Sequence, residues 1–302
     1  MLVAGGSLLG KETSVLKTTE VISLDLSTSV LTAEITDFVP LNNPRRGASA
    51  YKFSKKKEEP SSSVWVIGGC ENNDTHLASC EKYSSATGTW EITENVLKEG
   101  RSCSMICSIQ DEVFMLGGWN GTQCLNSVEN LTENRVTLKM ISPIKNGCCL
   151  TSSADNRILV FGGWDGTRTL NTIFSFDPKN GVMELQGLLP MRIECHQVTH
   201  CPFRNSALLT GGFDGQEVLN TVIEVDLTTL KSSVWEAKLS IARECHCSGL
   251  LDDRFLIVAG GWDGFKALDS IEICDIRQGT MEFVNNYKLI EARNRPCSAL
   301  FP

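Results

Sequence analysis

The chain has 302 residues, of which 21% are charged and 41% hydrophobic, ordinary values for a globular protein with a sizeable core. Its net charge of −8 and pI of about 5.2 argue against a general nucleic-acid or anionic-membrane surface, since such surfaces need excess lysine and arginine. No apolar run approaches the roughly 20 residues that span a bilayer. The 13 cysteines, without a secretory leader, favour reduced thiols in a cytoplasmic protein.

A pair of glycines that follows a short apolar run recurs six times along the chain. The pairs are Gly5-Gly6, Gly68-Gly69, Gly117-Gly118, Gly162-Gly163, Gly211-Gly212 and Gly260-Gly261. Their first glycines are separated by 63, 49, 45, 49 and 49 residues. A period near 50 residues predicts an array of one supersecondary unit. We therefore expect a single domain over residues 1–302, rather than the two domains that length alone would suggest.

Each unit reads as four short antiparallel strands joined by polar turns. The second strand is the clearest, because nearly every residue in it is apolar and such a strand must be covered on both faces. The second strands are predicted at Met1–Ala4, Val64–Ile67, Val113–Leu116, Ile158–Phe161, Ala207–Thr210 and Phe255–Ala259. A radial stack of sheets would cover both faces of each strand, so these runs favour a ring of sheets.

The third strand of a unit begins with a Leu-Asn-Ser-like tetrapeptide, seven residues after the second glycine. The clear examples are at 125–128, 170–173, 219–222 and 268–271, with a looser version at 77–80 and the weakest match at 21–25. An aspartate, at Asp177, Asp226 or Asp275, then marks the turn that ends the strand. Helical periodicity is absent, so the sequence predicts an all-β fold.

These marks together resemble the kelch repeat. The glycine pair, the Asp-Gly turn after it, the Leu-Asn-Ser/Thr start and the arginine before the next unit recur over the whole chain. The usual third-strand tyrosine and fourth-strand tryptophan occur together only in the second unit, as Tyr83 and Trp90. The resemblance implies a six-bladed β-propeller with four-stranded antiparallel blades.

The two ends of the chain predict how the ring closes. The chain starts at a second strand, so the first blade lacks its innermost strand. The segment Arg295–Phe301 reads like the innermost strands at Arg101–Ile106 and Arg243–Leu250. We expect this C-terminal strand to complete the first blade, which leaves no open edge between the first and last blades.

The longest spacing, between the first and second glycine pairs, indicates inserted loop residues. They are shared between 8–16 and the segment 54–63, whose Ser-Lys-Lys-Lys-Glu-Glu-Pro-Ser-Ser-Ser composition cannot support a packed core. We expect the second segment to form a solvated hairpin loop between the first and second strands of blade two. The alternative is a docking or modification site.

Strand order predicts which side chains share a face of the propeller. In an antiparallel meander the first strand starts where the second ends, so arginines near first-strand starts lie beside the loops after the glycine pairs. The predicted partner-binding face contains Arg46, Arg101, Arg192, Arg243, Arg295, Trp119, Asn120, Trp164, Asp165, Phe213, Asp214, Trp262 and Asp263. Such a ring suits an acidic or polar peptide, because guanidinium groups bind carboxylates bidentately. The alternative for each residue is structural, in ion pairs with neighbouring blades or in packing.

Two Glu-Cys-His tripeptides, at 194–196 and 244–246, raise the question of a metal site. Successive side chains on a strand point to opposite faces, so four convergent ligands would require contributions from several blades. We therefore expect no metal and no cofactor. Cysteines near the innermost strands are predicted to be small apolar fillers, at Cys103, Cys195, Cys245 and Cys297.

An enzyme is the second class of function. Some kelch propellers are sugar enzymes, among them a galactose oxidase with copper and a sialic acid epimerase. The three tyrosines and four histidines of this chain show no evident copper site, and no nucleophile elbow or phosphate loop is present. His196 and His246, at like positions of neighbouring units, are the candidate acid–base pair. We expect no catalysis.

The sequence therefore predicts a non-catalytic module that binds a protein or peptide, without nucleic acid or membrane. One role is the substrate-recognition domain of a cullin-type ubiquitin ligase adaptor, although the BTB domain that normally accompanies that role has no counterpart in this sequence. The alternative is a cytoskeletal, for example actin-binding, or scaffold subunit. The partner and the oligomeric state are left open.

Overall fold

A computed structural model describes residues 1–8, 14–25, 31–53, 63–72, 75–133, 135–152, 156–277 and 282–300. These residues form six four-stranded sheets, the blades of the fold, and one 3₁₀ helix, Pro202–Arg204. Among them, no helix has the length and apolar character that crossing a membrane would require. The predicted insertion at 54–63 lies, apart from Ser63, outside these ranges, and so does most of the loop at 8–16.

Every blade is an antiparallel meander whose strands follow one another from the channel outward. In that order, blade 1 contains β24 (Cys297–Ala299), β1 (Leu2–Ala4), β2 (Thr19–Asp25) and β3 (Thr32–Phe38). Blade 2 contains β4 (Ser49–Phe53), β5 (Ser63–Ile67), β6 (Cys80–Ser84) and β7 (Thr89–Thr93). Blade 3 contains β8 (Met105–Ile109), β9 (Glu112–Leu116), β10 (Ser127–Asn130) and β11 (Arg135–Lys139).

The remaining blades repeat the same order. Blade 4 contains β12 (Cys148–Ser152), β13 (Arg157–Phe161), β14 (Thr172–Phe176) and β15 (Met183–Leu188). Blade 5 contains β16 (Gln197–Cys201), β17 (Ser206–Thr210), β18 (Val222–Asp226) and β19 (Ser232–Val234). Blade 6 contains β20 (Cys247–Leu251), β21 (Phe255–Ala259), β22 (Ser270–Asp275) and β23 (Phe283–Lys288).

The C-terminal strand closes the ring as predicted. β24 pairs with β1 in the register Leu2↔Ala299 and Ala4↔Cys297. The innermost strands also contact one another in a circle, from β4 through β8, β12, β16, β20 and β24 back to β4. The fold is therefore a six-bladed β-propeller whose first blade is shared between the two ends of the chain.

The second strands carry most of the core. In β17 and β21 every residue is buried, which is the both-faces pattern that the sequence predicts. Apolar clusters lie between neighbouring blades, as where Leu208 of blade 5 packs with Leu256 and Val258 of blade 6. Burial of about 25 cal/mol per Å² of apolar surface makes this blade-to-blade packing the main stabilising term.

Candidate functional site

A ring of six residues surrounds the channel where the linkers between blades reach the innermost strands. This waist ring consists of Gly47, Cys103, Asn146, Cys195, Cys245 and Arg295. Each has a left-handed backbone, with φ between 52° and 61°. Each donates its backbone N–H to the carbonyl of the ring residue before it, and Gly47 donates to Arg295, at 2.7 to 3.0 Å. The circle of hydrogen bonds holds all six linkers at the channel.

The channel opens above the waist ring into a cavity of about 470 Å³. This upper basin is lined by Arg46, His76, Trp119, Lys145, Glu244 and Trp262, with part of the waist ring as its floor. A second cavity of about 270 Å³ lies along the innermost strands on the other side of the ring. The upper basin is on the face formed by the loops after the glycine pairs, which we call the upper face.

Cations dominate one side of the upper basin. Lys145 Nζ lies 4.2 Å from the ring centre of Trp119 and 4.6 Å from that of Trp164, so two indole faces hold its charge. Arg295 Nη1 donates to Cys103 Sγ at 2.8 Å, and Arg46 Nε donates to the sulfur of Cys70 at 3.3 Å. In the described part of the chain, no carboxylate forms an ion pair with Lys145 or Arg295.

Glu244 is the acid that lines the upper basin, and Glu194 lies outside that lining. Burial raises the pKa of the Glu244 carboxyl, although Arg295 acts against this shift. Glu194, at the like position in the linker before blade 5, accepts hydrogen bonds from Asn146 Nδ2 at 2.9 Å and Thr169 Oγ1 at 2.8 Å. Burial, aided by Arg46, lowers the pKa of His76, so this imidazole adds no charge at neutral pH. The basin is therefore a mainly cationic site on an acidic protein.

Two of the five predicted face arginines have a different role. Arg101 and Arg243 are fully buried and belong to a set of four linker arginines, each paired with a third-strand glutamate of the blade that follows. The pairs are Arg45–Glu81, Arg101–Glu129, Arg243–Glu272 and Arg293–Glu20. The prediction that Arg101 and Arg243 face a partner is therefore corrected. Both arginines form structural ion pairs, which was the alternative. Their partner is a glutamate of the blade that follows the linker.

The paired side chains also hydrogen-bond the backbone, as the pair Arg243–Glu272 shows. Arg243 Nη1 donates to the carbonyl of Gly260 at 2.8 Å, while Glu272 accepts the backbone N–H groups of Ser240 and Ile241 at 2.6 and 3.1 Å. In blades 4 and 5 the corresponding positions are apolar. They are Ile144 with Phe174, and Ile193 with Ile223. In the linker before blade 5, Pro190 stands where Ser240 stands, so the N–H that a glutamate would accept is absent there as well.

The polar loop residues of the predicted face shape their own loops. Asp263 Oδ1 accepts the backbone N–H groups of Phe265 and Lys266, both at 2.8 Å. The same turn is formed by Asn120, Asp165 and Asp214. A side chain that accepts these bonds stabilises a tight turn. The structure therefore gives these four residues a role in presenting the loop rather than in contacting a partner.

The aromatic residues of the predicted face lie beside these turns. Trp119 and Trp262 line the upper basin, Trp164 contacts Lys145, and Phe213 pairs through its backbone with Glu194. Arg192 is exposed on the linker before blade 5 and does not line the basin. The predicted face did not include His76 and Glu244, which also line the basin. Aligning the six linkers on the residue after the buried arginine would have identified Glu244.

Another residue that sequence reasoning missed is Phe265. Its side chain is 90% exposed at the tip of the loop that follows Trp262. Aromatic residues, phenylalanine among them, are enriched in protein interfaces. Phe265 therefore adds an exposed apolar side chain to the upper-face loop that follows Trp262.

Two other predictions concern buried residues. His196 and His246, the candidate acid–base pair, are 1% and 0% exposed. Burial lowers the pKa of both, that of His196 to about 3, so neither imidazole takes up a proton near neutral pH.

Cys103, Cys195 and Cys245 belong to the waist ring rather than lying between innermost strands. Cys297 does lie in an innermost strand, as predicted.

Comparisons with known proteins agree with the geometry. The family model of the Kelch motif matches residues 146–182, from Asn146 of the waist ring through β12, β13 and β14 of blade 4. Of the solved structures, 284 chains match, including one titled "Structure of YjhT" with a TM-score of 0.66 and 14% identity, over 85% of this chain and 87% of that chain. At this identity the likeness shows the fold alone. Among curated proteins, no sequence matches significantly.

Proposed function

We propose that this kelch-repeat propeller is a non-catalytic interaction module that binds an acidic segment of a partner protein in the upper basin. The observation that carries the proposal is the convergence of Arg46, Lys145 and Arg295 on one cavity of about 470 Å³ in a protein with net charge −8. A local field of opposite sign to the whole molecule favours an acidic ligand at that position. Indole rings beside the cations add apolar area for the peptide backbone.

The geometry suits carboxylates better than neutral groups. Arg295 and Lys145 have soft or aromatic partners, so a carboxylate that enters the basin gains charge-assisted hydrogen bonds without first breaking an ion pair. Glu244, on the opposite side, would repel a second acid and accept hydrogen bonds from the peptide's N–H groups. The acidic residue of a bound peptide should therefore lie toward blades 1, 2 and 4, whose linkers carry Arg295, Arg46 and Lys145.

Selection from a random short-peptide display library tests the proposal. We expect Asp and Glu to be enriched in the selected peptides. The double variant Lys145→Ala with Arg295→Asn should bind them at least about tenfold more weakly, since hydrogen bonds to charged groups contribute roughly 1.5–3 kcal/mol each. Asparagine suits position 295 because Asn146 occupies the like ring position with the same left-handed backbone.

Arg192→Ala is the matched control, because Arg192 is an exposed cation on the same face outside the basin. Its affinity for the selected peptides should stay within about twofold of the unmodified chain, as expected for a surface charge. Peptides without acidic enrichment, or equal binding by the double variant, would contradict the proposal.

Within this class we propose a substrate-recognition role, as in a cullin-type ubiquitin ligase adaptor, over an actin-binding or scaffold role. A basin of this size accommodates one short segment, whereas filament binding uses a broad surface. Co-sedimentation with filamentous actin separates the two, because the substrate-recognition role predicts that the protein stays in the supernatant. Protein that pellets with actin in a saturable manner would favour the cytoskeletal role.

A further inference from the structure

Two cysteines of the waist ring and one carboxylate lie together. Glu244 lines the upper basin, whereas Cys195 and Cys245 line a smaller neighbouring cavity of about 80 Å³. Ligand atoms of Cys195, Glu244 and Cys245 all lie within 4.8 Å of one another. The linkers before blades 5 and 6 supply these residues, and the hydrogen bond from Cys245 N–H to the Cys195 carbonyl, at 2.7 Å, joins the two linkers. The left-handed backbone at both cysteines places them in the ring rather than on alternate faces of a strand.

We propose that Cys195, Cys245 and Glu244 bind one Zn²⁺ ion, with a water molecule from the basin as the fourth ligand. Two sulfurs and a carboxylate oxygen are a donor set that zinc accepts in tetrahedral geometry, at about 2.3 Å to sulfur and 2.0–2.2 Å to oxygen. Those bond lengths require neighbouring donors to be roughly 3.5–4 Å apart, so the observed cluster closes by small side-chain rotations. The cavity above Glu244 leaves space for the water.

The charges around the cluster balance when the ion is bound. Zinc displaces the two thiol protons, which pass to solvent, and forms two Zn–S bonds. Two thiolates and one carboxylate then carry three negative charges, which the ion and the guanidinium of Arg295 offset. Arg295 interacts electrostatically with all three ligands and is the next residue of the waist ring.

Zinc binding requires no peptide, because its ligands are the chain's own. It uses Glu244 and the charge of Arg295, so the peptide experiments above are made on metal-free protein. The protein, reduced and stripped with a chelator, is dialysed against Zn²⁺, and bound zinc is measured by elemental analysis. We expect one equivalent per chain. Co²⁺ in place of zinc should give a thiolate charge-transfer band and the visible spectrum of a tetrahedral ion.

Matched cysteine variants decide where the ion binds. Cys195→Ser with Cys245→Ser should weaken zinc binding at least about tenfold in competition with a chromophoric chelator. Cys103→Ser, a waist-ring cysteine outside the cluster, should leave it unchanged, and circular dichroism checks that each variant folds. Less than half an equivalent of zinc, equal binding by the double serine variant, or a zinc-free protein with a Cys195–Cys245 disulfide would overturn the proposal.

Discussion

Arg243→Ile is expected to lower the free energy of unfolding by about 3–5 kcal/mol, because it leaves the carboxylate of Glu272 buried without its cation. Both side chains are fully buried, and their closest atoms are 2.6 Å apart. Adding Glu272→Ile should recover most of this loss, since well-packed apolar residues often replace a buried ion pair without cost. The chain already contains that replacement in blade 5, as Ile193 and Ile223.

A third substitution tests the hydrogen bonds that Glu272 accepts from the linker backbone. Removing Glu272 leaves the backbone N–H groups of Ser240 and Ile241 without their acceptor. Ser240→Pro, which copies Pro190 of the preceding linker, removes one of these groups, so the triple variant should be at least as stable as the double. Urea unfolding at neutral pH measures all three. Arg254→Ile, which breaks a more exposed pair with Asp275, should lower the stability much less than Arg243→Ile does.

The burial of this ion pair predicts the order of stability of the three variants. Arg243→Ile alone must be the least stable of the three variants. A double variant less stable than the single one would show that the ion pair is worth more than its apolar replacement. A loss below about 1 kcal/mol for Arg243→Ile would contradict the prediction, because it would show that the carboxylate of Glu272 does not need its buried cation.

Stability is also expected to fall steeply as the pH decreases from about 6.5 toward 3. His196 and His246 are buried, and burial lowers the pKa of both, that of His196 to about 3. The ordinary histidine pKa in the unfolded chain is about 6.5. Between these values the unfolded chain binds protons that the folded chain does not, so acid favours unfolding. Each histidine contributes a slope of about 1.4 kcal/mol per pH unit.

Urea unfolding between pH 7 and pH 5, with a chelator present, measures this slope. His196→Asn should reduce the slope of the unfolding free energy against pH by the equivalent of about one bound proton, whatever its effect on the stability at pH 7. His200→Asn is the comparison variant. His200 is exposed on β16, and Asp253 acts against the lowering of its pKa by burial, so this substitution should change the pH dependence less than His196→Asn does. A pH profile that is unchanged by His196→Asn would mean that its imidazole is protonated in the folded state.

The repeat marks in the sequence were enough to predict the blades and the closure. Glycine pairs after runs such as Phe255–Ala259 locate the second strands within one residue, and the likeness of the C-terminal segment to other innermost strands predicted the β24–β1 pairing. These features are local, since they depend on burial and turn chemistry within one unit. Such local patterns stay recognisable even where the other residues of the units differ.

The binding face was only partly predictable. Arg45 and Arg46 are adjacent, yet the first is buried against Glu81 and the second lines the basin. Linker alignment would have separated these classes, because the buried arginine occurs with a glutamate in four blades and is replaced by isoleucine in two. The waist ring could not be inferred, since left-handed backbone at Cys195 or Cys245 has no residue-type signal and depends on closure of the whole ring.

The upper basin as the site of partner binding is tested most directly by hydrogen–deuterium exchange of the propeller, alone and with a selected acidic peptide. We predict slower exchange in the upper-face loops at 119–123, 164–168 and 262–266 and in the linkers beside Arg46 and Lys145. The turns on the opposite face, at 84–88, 177–181 and 226–230, should exchange at unchanged rates. Protection confined to those turns, with the upper-face loops unaffected, would contradict the account.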